Sequence, residues 1–310
     1  MTQLREQVKL MGTIIDLQIY HVNPRPILDE AIARLKMYEQ RFSANDDHSE
    51  LMAINKKAGI SPVVVHPELF ELIQIGKNYS CLPDSHLNIA IGPLIQTWRI
   101  GFDDAKVPSH AQIDELMLLT NPEQIHLDAT NRSVYLAVKG MKIDLGCLAK
   151  GYIADRIIDY LKSEGVTAAL INLGGNLVTF GANPKQADQQ WRVGVQNPTK
   201  ERNQSMIVLK TTNQSVVTSG IYERKLTSNQ QTYHHIFNPK TGYPVETQVV
   251  SLTIVSKSSC DGEIWTTCLF GKTPTEILAT VSHLPEIEAI IITDDGEILY
   301  STALEQVIVS

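Results

Sequence analysis

The hydrophobic residues of this chain recur with two periods, one typical of helices and one typical of strands. Apolar residues three or four positions apart predict amphipathic helices at residues 27–41, 46–54, 67–80, 153–161 and 266–278. Alternating or β-branched runs predict strands at residues 13–20, 134–145, 168–173, 191–196, 208–218, 233–237, 249–256, 289–293 and 297–302. Because helices and strands interleave along the chain, we predict an α+β protein.

Neither a linker nor an internal repeat divides the chain. We therefore expect one domain over residues 1–310, with a single compact mixed α/β body that leaves room for a smaller second lobe. A hydrophobic content of 43% is enough for a substantial core. Residues 85–98 are apolar but interrupted by Gly92-Pro93, and residues 181–202 form a polar excursion around the strand at 191–196.

The net negative charge of the chain argues against polyanionic binding partners. The formal net charge is −7 and no cluster of basic and aromatic residues occurs, so we expect no nucleic-acid binding and no attraction to anionic membranes. The longest apolar runs, such as EAIIIT, have the length of strands and are too short to span a bilayer. An integral membrane segment is therefore not expected.

The cysteines indicate a reducing compartment. The four thiols are scattered and form no CxxC pair, which argues against structural zinc and against a disulfide framework: Cys81, Cys147, Cys260 and Cys268. The first twenty residues lack the apolar centre of a signal peptide and a cysteine that could carry a lipid. We expect a cytoplasmic protein.

A predicted strand runs directly into a predicted helix within residues 143–161, IDLGCLAKGYIADRIIDYL. Gly146 lies at this junction, and Lys150-Gly151 lies where the helix should begin. The unpaired N–H groups of a helix N-terminus favour anions, and a lysine adds a full positive charge, so the junction is compatible with phosphate binding. A capped helix with a solvated lysine explains the same residues, and from them alone it is the better interpretation.

Two further segments carry candidate residues. Gly174-Gly175 lies between two apolar runs and predicts either a plain turn or a close approach of a ligand to the backbone. His234 and His235 end a predicted strand, so their side chains should point to opposite faces. A histidine at such a position can act as a base near neutral pH, although most isolated histidines are simply hydrogen-bonded.

A fourth segment, SKSSCDGEIWTTCLFG, combines carboxylates with hydroxyls. If a helix begins near Gly262, Glu263 and Thr267 lie four residues apart on one face. A carboxylate beside a hydroxyl and a carbonyl is a set of hard oxygen donors that suits Mg²⁺. A capped helix N-terminus is the simpler alternative for this segment taken alone.

Taken together, these motifs resemble those of the FAD:protein FMN transferases, the ApbE family. The resemblance runs from Met11 to Gly271 and rests on the order of its parts: MGT at 11–13, RFS at 41–43, SEL at 49–51, NIAIGP at 88–93, GF at 101–102, DL at 144–145, AKGY at 149–152, NLGGN at 172–176, SG at 219–220, YER at 222–224, HI at 235–236, TG at 241–242 and T-x-LFG at 267–271.

The resemblance implies an α+β fold with FAD in a cleft and Mg²⁺ beside its pyrophosphate. It implies transfer of FMN from FAD to a threonine hydroxyl of an acceptor protein, with release of AMP. The residues implied to line the FAD site are Met11, Asn45, His86, Leu87, Asn88, Asp144, Lys150, Gly174, Gly175 and His235. The metal would be held by Cys147, Glu263, Thr266 and Thr267, and His235 would be the catalytic base or would orient the acceptor.

The chain departs from the family pattern at several positions. The metal-binding aspartate of the family aligns with Glu263, and Asp261 is the alternative metal carboxylate. Asn88 and Asn238 stand where the family has aspartates. Two other functions therefore stay open: an Mg²⁺-dependent FAD pyrophosphatase that yields FMN and AMP, and a catalytically impaired protein that only binds FAD.

Overall fold

A computed structural model describes residues 1–202 and 204–309. Its central feature is an eight-stranded sheet in which every neighbouring pair is antiparallel. In spatial order its strands are β1 (Thr2–Leu10), β2 (Thr13–His21), β6 (Ala168–Leu173), β7 (Asn176–Phe180), β10 (Gln214–Gly220), β13 (Val249–Ser256), β14 (Glu288–Thr293) and β15 (Ile298–Tyr300).

Three smaller antiparallel sheets accompany it. They are β3 (Val63–Val64) with β5 (Ser133–Leu136) and β4 (Ile125–Asp128); β16 (Ile308–Val309) with β9 (Ser205–Thr211) and β8 (Trp191–Gln196); and the hairpin β11 (Lys225–Ser228) with β12 (Gln231–His234). The α-helices are α1 (Pro24–Phe42), α2 (Glu50–Lys56), α3 (Pro67–Ser80), α4 (Gly92–Trp98), α5 (His110–Met117), α6 (Ala149–Ser163), α7 (Ser259–Leu269) and α8 (Pro274–Val281).

The eight-stranded sheet is covered on both faces. Helices α1, α6 and α7 pack on one face, where Ile15, Leu17 and Ile171 contribute to the largest cluster of buried side chains. Val216 and Val255 point to the other face and join a cluster with Val193, Leu209 and the other apolar residues of the β8–β9 pair. This arrangement of helices, large sheet and small sheet confirms the predicted α+β class.

Several predicted boundaries are wrong. Residues 208–218 form parts of two strands rather than one, because Asn213 adopts a left-handed conformation (φ 54°) in the turn between β9 and β10. The predicted helix at 266–278 is two helices separated at Gly271 (φ 106°). Residues 134–145 contain only the end of β5, and Gly92-Pro93 begins helix α4 instead of interrupting an element. Strands β1 and β4 and helix α5 were not predicted.

No helix in residues 1–202 and 204–309 is long and apolar enough to cross a membrane.

Gly151 allows α6 and α7 to approach each other closely. A Cβ at this position would lie 2.8 Å from the Glu263 Cγ and closer still to the Ser259 carbonyl oxygen. Since Cβ atoms do not tolerate such distances, the glycine is required by helix packing and not by flexibility. The same contact places the start of α6 beside the middle of α7.

We expect Gly151→Ala to destabilise the protein by about 1–3 kcal/mol, because overpacking at the α6–α7 contact outweighs the better helix propensity of alanine. Urea unfolding would measure this loss. Asp159→Ala, at an exposed position of the same helix, should change stability by less than about 0.5 kcal/mol. Equal or greater stability of Gly151→Ala would show that the two helices have room to separate.

Candidate active site

The start of α6 is the centre of the candidate site. Leu148 precedes the helix and provides no side-chain cap, so the first N–H groups of α6 lack a capping side chain. Just before it, the Gly146 N–H donates to Asp144 Oδ1 at 2.8 Å. Burial raises the pKa of Asp144, although this hydrogen bond and the positive charge of Arg224 act in the opposite direction.

An ion pair joins this junction to α7. Lys150 Nζ lies 2.7 Å from Glu263 Oε1, across 113 positions of sequence. The Glu263 side chain is only 5% exposed, and the Lys150 side chain is 28% exposed. A buried polar side chain needs a partner, and Lys150 supplies it for Glu263. The structure therefore brings together the Lys150-Gly151 junction and the segment around Glu263, which are separate motifs in the sequence.

The other predicted metal ligands lie on the same side. Thr266 is fully buried, and its Oγ1 donates to the Glu263 carbonyl oxygen at 3.1 Å. Its own carbonyl oxygen accepts from the Phe270 N–H at 3.1 Å, which leaves one lone pair for a ligand. Thr267 lies one helical turn after Glu263 and is partly exposed. Burial, together with the nearby Asp144 and Glu263 carboxylates, raises the pKa of the Cys147 thiol well above its ordinary value. Cys147 would thus offer a carbonyl oxygen and not a thiolate.

This set of donors fits Mg²⁺ better than a transition metal. Across residues 1–202 and 204–309, no group of three or more His, Cys, Asp or Glu side chains forms a metal site. Mg²⁺ is commonly held by one or two carboxylates and completes its octahedron with water and substrate phosphates. One buried carboxylate with neighbouring hydroxyl and carbonyl oxygens meets that requirement.

Asp261, the alternative metal carboxylate, faces away from Lys150. The two acidic residues of α7 are two positions apart, which is about 200° around a helix. Asp261 instead lines a cavity of about 280 Å³ on the other side of α7, together with Tyr79 and Tyr152. Burial raises its pKa. The geometry favours Glu263 as the carboxylate of the candidate site.

The two adjacent histidines have different surroundings. His234 is engaged at both ring nitrogens: Nε2 donates to the Val245 carbonyl oxygen at 2.9 Å, and Nδ1 accepts from the Ile236 N–H at 3.3 Å. His235 Nδ1 is buried without a hydrogen-bond partner. Burial, followed by the charge of Arg224, lowers the pKa of His235 to about 4. His235 is therefore neutral at pH 7 and keeps a ring nitrogen free to accept a proton.

The predicted glycine turn also has a structural explanation. Gly174 and Gly175 connect β6 to β7 with φ values of 63° and 105°, and the Gly175 N–H donates to Asn172 Oδ1 at 2.9 Å. A Cβ on Gly174 would lie 2.8 Å from the Thr13 Cβ. The turn thus lies against the start of β2, close in sequence to Met11, whose N–H donates to Glu39 Oε1 at 2.5 Å.

The remaining predicted FAD residues differ in how available their side chains are. Asn45 is exposed and Leu87 is fully buried. The Asn88 amide is occupied by protein groups, since Nδ2 donates to the Thr120 carbonyl oxygen and Oδ1 accepts from the Ala90 N–H, both at 2.8 Å.

His86 lies against the end of α7. Its Nδ1 is buried without a partner, and a Cβ on Gly271 would lie 2.6 Å from that atom. Burial and the nearby Lys272 lower the pKa of His86. His86 is therefore a neutral side chain with an open hydrogen-bonding atom, whereas Leu87 and Asn88 are packed into the protein. The contacts of all these residues with FAD stay predictions.

Arg224 was not singled out as a site residue by the sequence analysis. Its charge acts on both Asp144 and His235, as the pKa values of those two groups reflect. Lys150 also acts on His235. The site therefore combines residues from the α6 junction, from α7 and from the hairpin β11–β12. The YER motif at 222–224 was the one sequence signal that included Arg224.

These features describe a candidate site in a mixed α/β fold, and comparison with known proteins gives the family. Residues 11–291 match the ApbE family. The FAD:protein FMN transferase of Klebsiella pneumoniae (strain 342) is 41% identical over 293 residues, which cover 94% of this chain and 90% of that protein. The FAD:protein FMN transferase of Treponema pallidum (strain Nichols) is 32% identical over 310 residues, covering 95% and 86%. The chain belongs to the ApbE family.

Solved structures agree on the fold. The crystal structure of the ApbE protein from Thermotoga maritima superposes with a TM-score of 0.90 at 25% identity, with 99% of each chain covered. The apo form of the Pseudomonas stutzeri flavinyl transferase ApbE gives a TM-score of 0.84 at 23% identity, over 99% of this chain and 96% of that one.

Proposed function

We propose that this protein is an FAD:protein FMN transferase that moves FMN from FAD to a threonine hydroxyl of an acceptor protein, with Mg²⁺ as cofactor. Its relatives from Klebsiella pneumoniae and Treponema pallidum carry that name. The observation that carries the proposal is the Lys150–Glu263 pair at the start of α6, close enough for the charge of Lys150 to act on the neutral His235. This is a site for phosphoryl-type transfer to a hydroxyl group.

In the proposed reaction, the threonine Oγ forms a bond to the phosphorus atom next to riboflavin. The bond from that phosphorus to the bridging oxygen breaks, and AMP leaves with the bridging oxygen. The hydroxyl proton passes to a ring nitrogen of His235, which is free because the imidazole is neutral. Lys150 and the N–H groups at the start of α6 hold the diphosphate charge.

Glu263, Thr267 and the carbonyl groups of Cys147 and Thr266 would hold the Mg²⁺. When bound, the ion would neutralise charge on the diphosphate. Without the ion, Glu263 contacts Lys150, whose ammonium group is the partner of this buried side chain.

The decisive experiment combines the purified protein with FAD, Mg²⁺ and a protein that contains a threonine flavinylation motif, followed by intact mass spectrometry. We expect an acceptor adduct of the mass of FMN and an equal amount of AMP, both abolished by EDTA. AMP and FMN without an adduct would favour the FAD pyrophosphatase. Unchanged FAD would indicate that the protein binds FAD without catalysing its cleavage.

We also propose a cytoplasmic location. Cys81, Cys147, Cys260 and Cys268 are all free thiols, which is typical of a reducing compartment. Fractionation of cells followed by immunodetection would test this.

FAD should bind at least about tenfold more tightly than FMN, a difference of about 1.4 kcal/mol. The reason is that Lys150 and the Gly174-Gly175 turn are proposed to serve the diphosphate and not the flavin ring. Calorimetry with each flavin would measure the ratio. Lys150→Met should reduce the preference, while Lys162→Met, near the end of the same helix, should preserve it. Equal affinities in the unmodified protein would contradict this assignment.

A further inference from the structure

Arg224 is a cation without an ionic partner at the edge of the candidate site. Other arginines on neighbouring segments are paired: Arg99 with Asp104 at 2.7 Å, and Arg202 with Glu223 at 2.5 Å. Within residues 1–202 and 204–309, no carboxylate lies within 4.0 Å of the Arg224 guanidinium. An arginine that is left unpaired beside a neutral histidine is available to an anionic ligand.

The hairpin β11–β12 fixes Arg224 relative to His235. Its register pairs Lys225, the first residue of β11, with His234, the last residue of β12. Arg224 precedes Lys225 and His235 follows His234, so the two residues lie side by side at the base of the hairpin. The backbone of Arg224 lies beside the His235 ring. Whatever orients this hairpin therefore orients both side chains together.

The aliphatic part of the Arg224 side chain packs against Gly101. It crosses Gly101, where a Cβ would lie 2.8 Å from the Arg224 Cδ and 3.2 Å from its Cγ. Gly101 has a φ of 95°, a conformation that favours glycine. The segment that follows α4 thus provides a surface without a side chain, along which the aliphatic part of Arg224 extends.

The charge of Arg224 acts on two groups of the candidate site. It opposes the burial that raises the pKa of Asp144, at the junction that leads into α6, and it adds to the burial that lowers the pKa of His235. The guanidinium group is therefore near both the junction and the proposed base. That is the region in which the diphosphate of FAD would be held by Lys150.

We propose that Arg224 is a further catalytic residue, whose guanidinium group donates hydrogen bonds to a diphosphate oxygen of FAD during FMN transfer. This inference rests on the proposed function. The planar guanidinium can donate two parallel hydrogen bonds to one phosphate group, and such charge-assisted bonds strengthen as negative charge develops. The guanidinium group thus adds charge stabilisation at the diphosphate and, through its charge, also lowers the pKa of His235.

Arg224→Gln should lower kcat of transfer by about 10²–10³-fold, the effect expected when one donor to a developing charge is removed, while KM for FAD changes by less than about tenfold. Arg224→Lys should recover part of the rate. Loss of the positive charge should also raise the pKa of His235, which would move the acidic limb of the pH–rate profile to higher pH. Lys225→Gln, the neighbouring exposed cation of the hairpin, is the matched control and should behave as the unmodified protein.

A rate for Arg224→Gln within threefold of the unmodified protein, or an equal loss in Lys225→Gln, would overturn the proposal. A second readout does not need turnover: the ³¹P resonances of bound FAD should differ between the unmodified protein and Arg224→Gln. Identical resonances would also overturn the proposal. If the unmodified protein binds FAD but modifies no acceptor, the proposed function fails, and the resonances still decide whether Arg224 contacts the diphosphate.

Discussion

His235→Ala should lower the rate of FMN transfer by about 10²–10⁴-fold while FAD still binds. A threonine hydroxyl is a weak nucleophile at neutral pH, and a positioned general base commonly contributes this much to its reaction. His235 can take the proton because its ring is neutral at pH 7 and because Nδ1 has no hydrogen-bond partner, although a pKa of about 4 makes it a weaker base than an ordinary histidine. Single-turnover measurement of the acceptor adduct would separate the chemical step from FAD binding.

His234 provides the matched control. Its ring nitrogens are engaged by Val245 and Ile236, so His234→Ala should change transfer little per folded molecule, although the loss of two hydrogen bonds can reduce stability. A His235→Ala protein that flavinylates its acceptor at the unmodified rate would remove the base from the mechanism. The reaction would then depend on the metal and on the positioned diphosphate.

The pH dependence follows from the same residue. Because the pKa of His235 is lowered from 6.5 to about 4, the folded protein holds this ring unprotonated while the unfolded chain binds a proton as the pH falls through 6.5. Folding stability from this group is therefore lost as the pH falls from 6.5 towards 4, and it is unaffected above 6.5. Activity of the free enzyme should decline over the lower part of that range.

The sequence predicted elements well where a buried face has a regular period. Helix α1 and strands β2 and β6 match their predictions closely because each contributes buried residues to the same large cluster. Strand β13 matches because nearly all of its residues are buried. Strand β1 was not predicted, since it is an edge strand in which no residue is fully buried. Strands β9 and β10, which belong to different sheets, were predicted as one strand because the turn between them at Asn213 contains no glycine or proline.

The candidate site was predictable only through the order of its motifs. Lys150 and Glu263 are 113 residues apart, and nothing local in either segment indicates that they meet. From the sequence, the Lys150-Gly151 junction was compatible with phosphate binding and was better explained by a capped helix, whereas the structure explains Gly151 by the close approach of α7. Arg224 lies at the base of an exposed hairpin, where no hydrophobic pattern marks its position. Long-range contacts of this kind depend on tertiary packing, and the spacing of hydrophobic residues along the chain does not predict them.

Glu263→Gln should raise the Mg²⁺ concentration needed for half-maximal activity by at least about tenfold, and should lower the rate at fixed Mg²⁺ by about 10²-fold or more. The substitution keeps the size of a side chain that is only 5% exposed but removes the charge that a hard cation requires. It also removes the partner of Lys150, which is partly exposed and can be solvated by water. The fold should therefore survive, and circular dichroism would verify this.

Asp261→Asn is the control that separates the two acidic residues of α7. Asp261 faces the cavity beside Tyr79 and Tyr152, away from Lys150, so its neutralisation should leave the Mg²⁺ requirement unchanged. It should even add some stability, since burial already raises the pKa of this carboxyl and disfavours its charge. Titration of Mg²⁺ in the transfer assay would compare the variants directly. If Asp261→Asn loses the metal dependence and Glu263→Gln keeps it, then Asp261 is the metal carboxylate, and the Lys150–Glu263 pair serves only to hold α6 against α7.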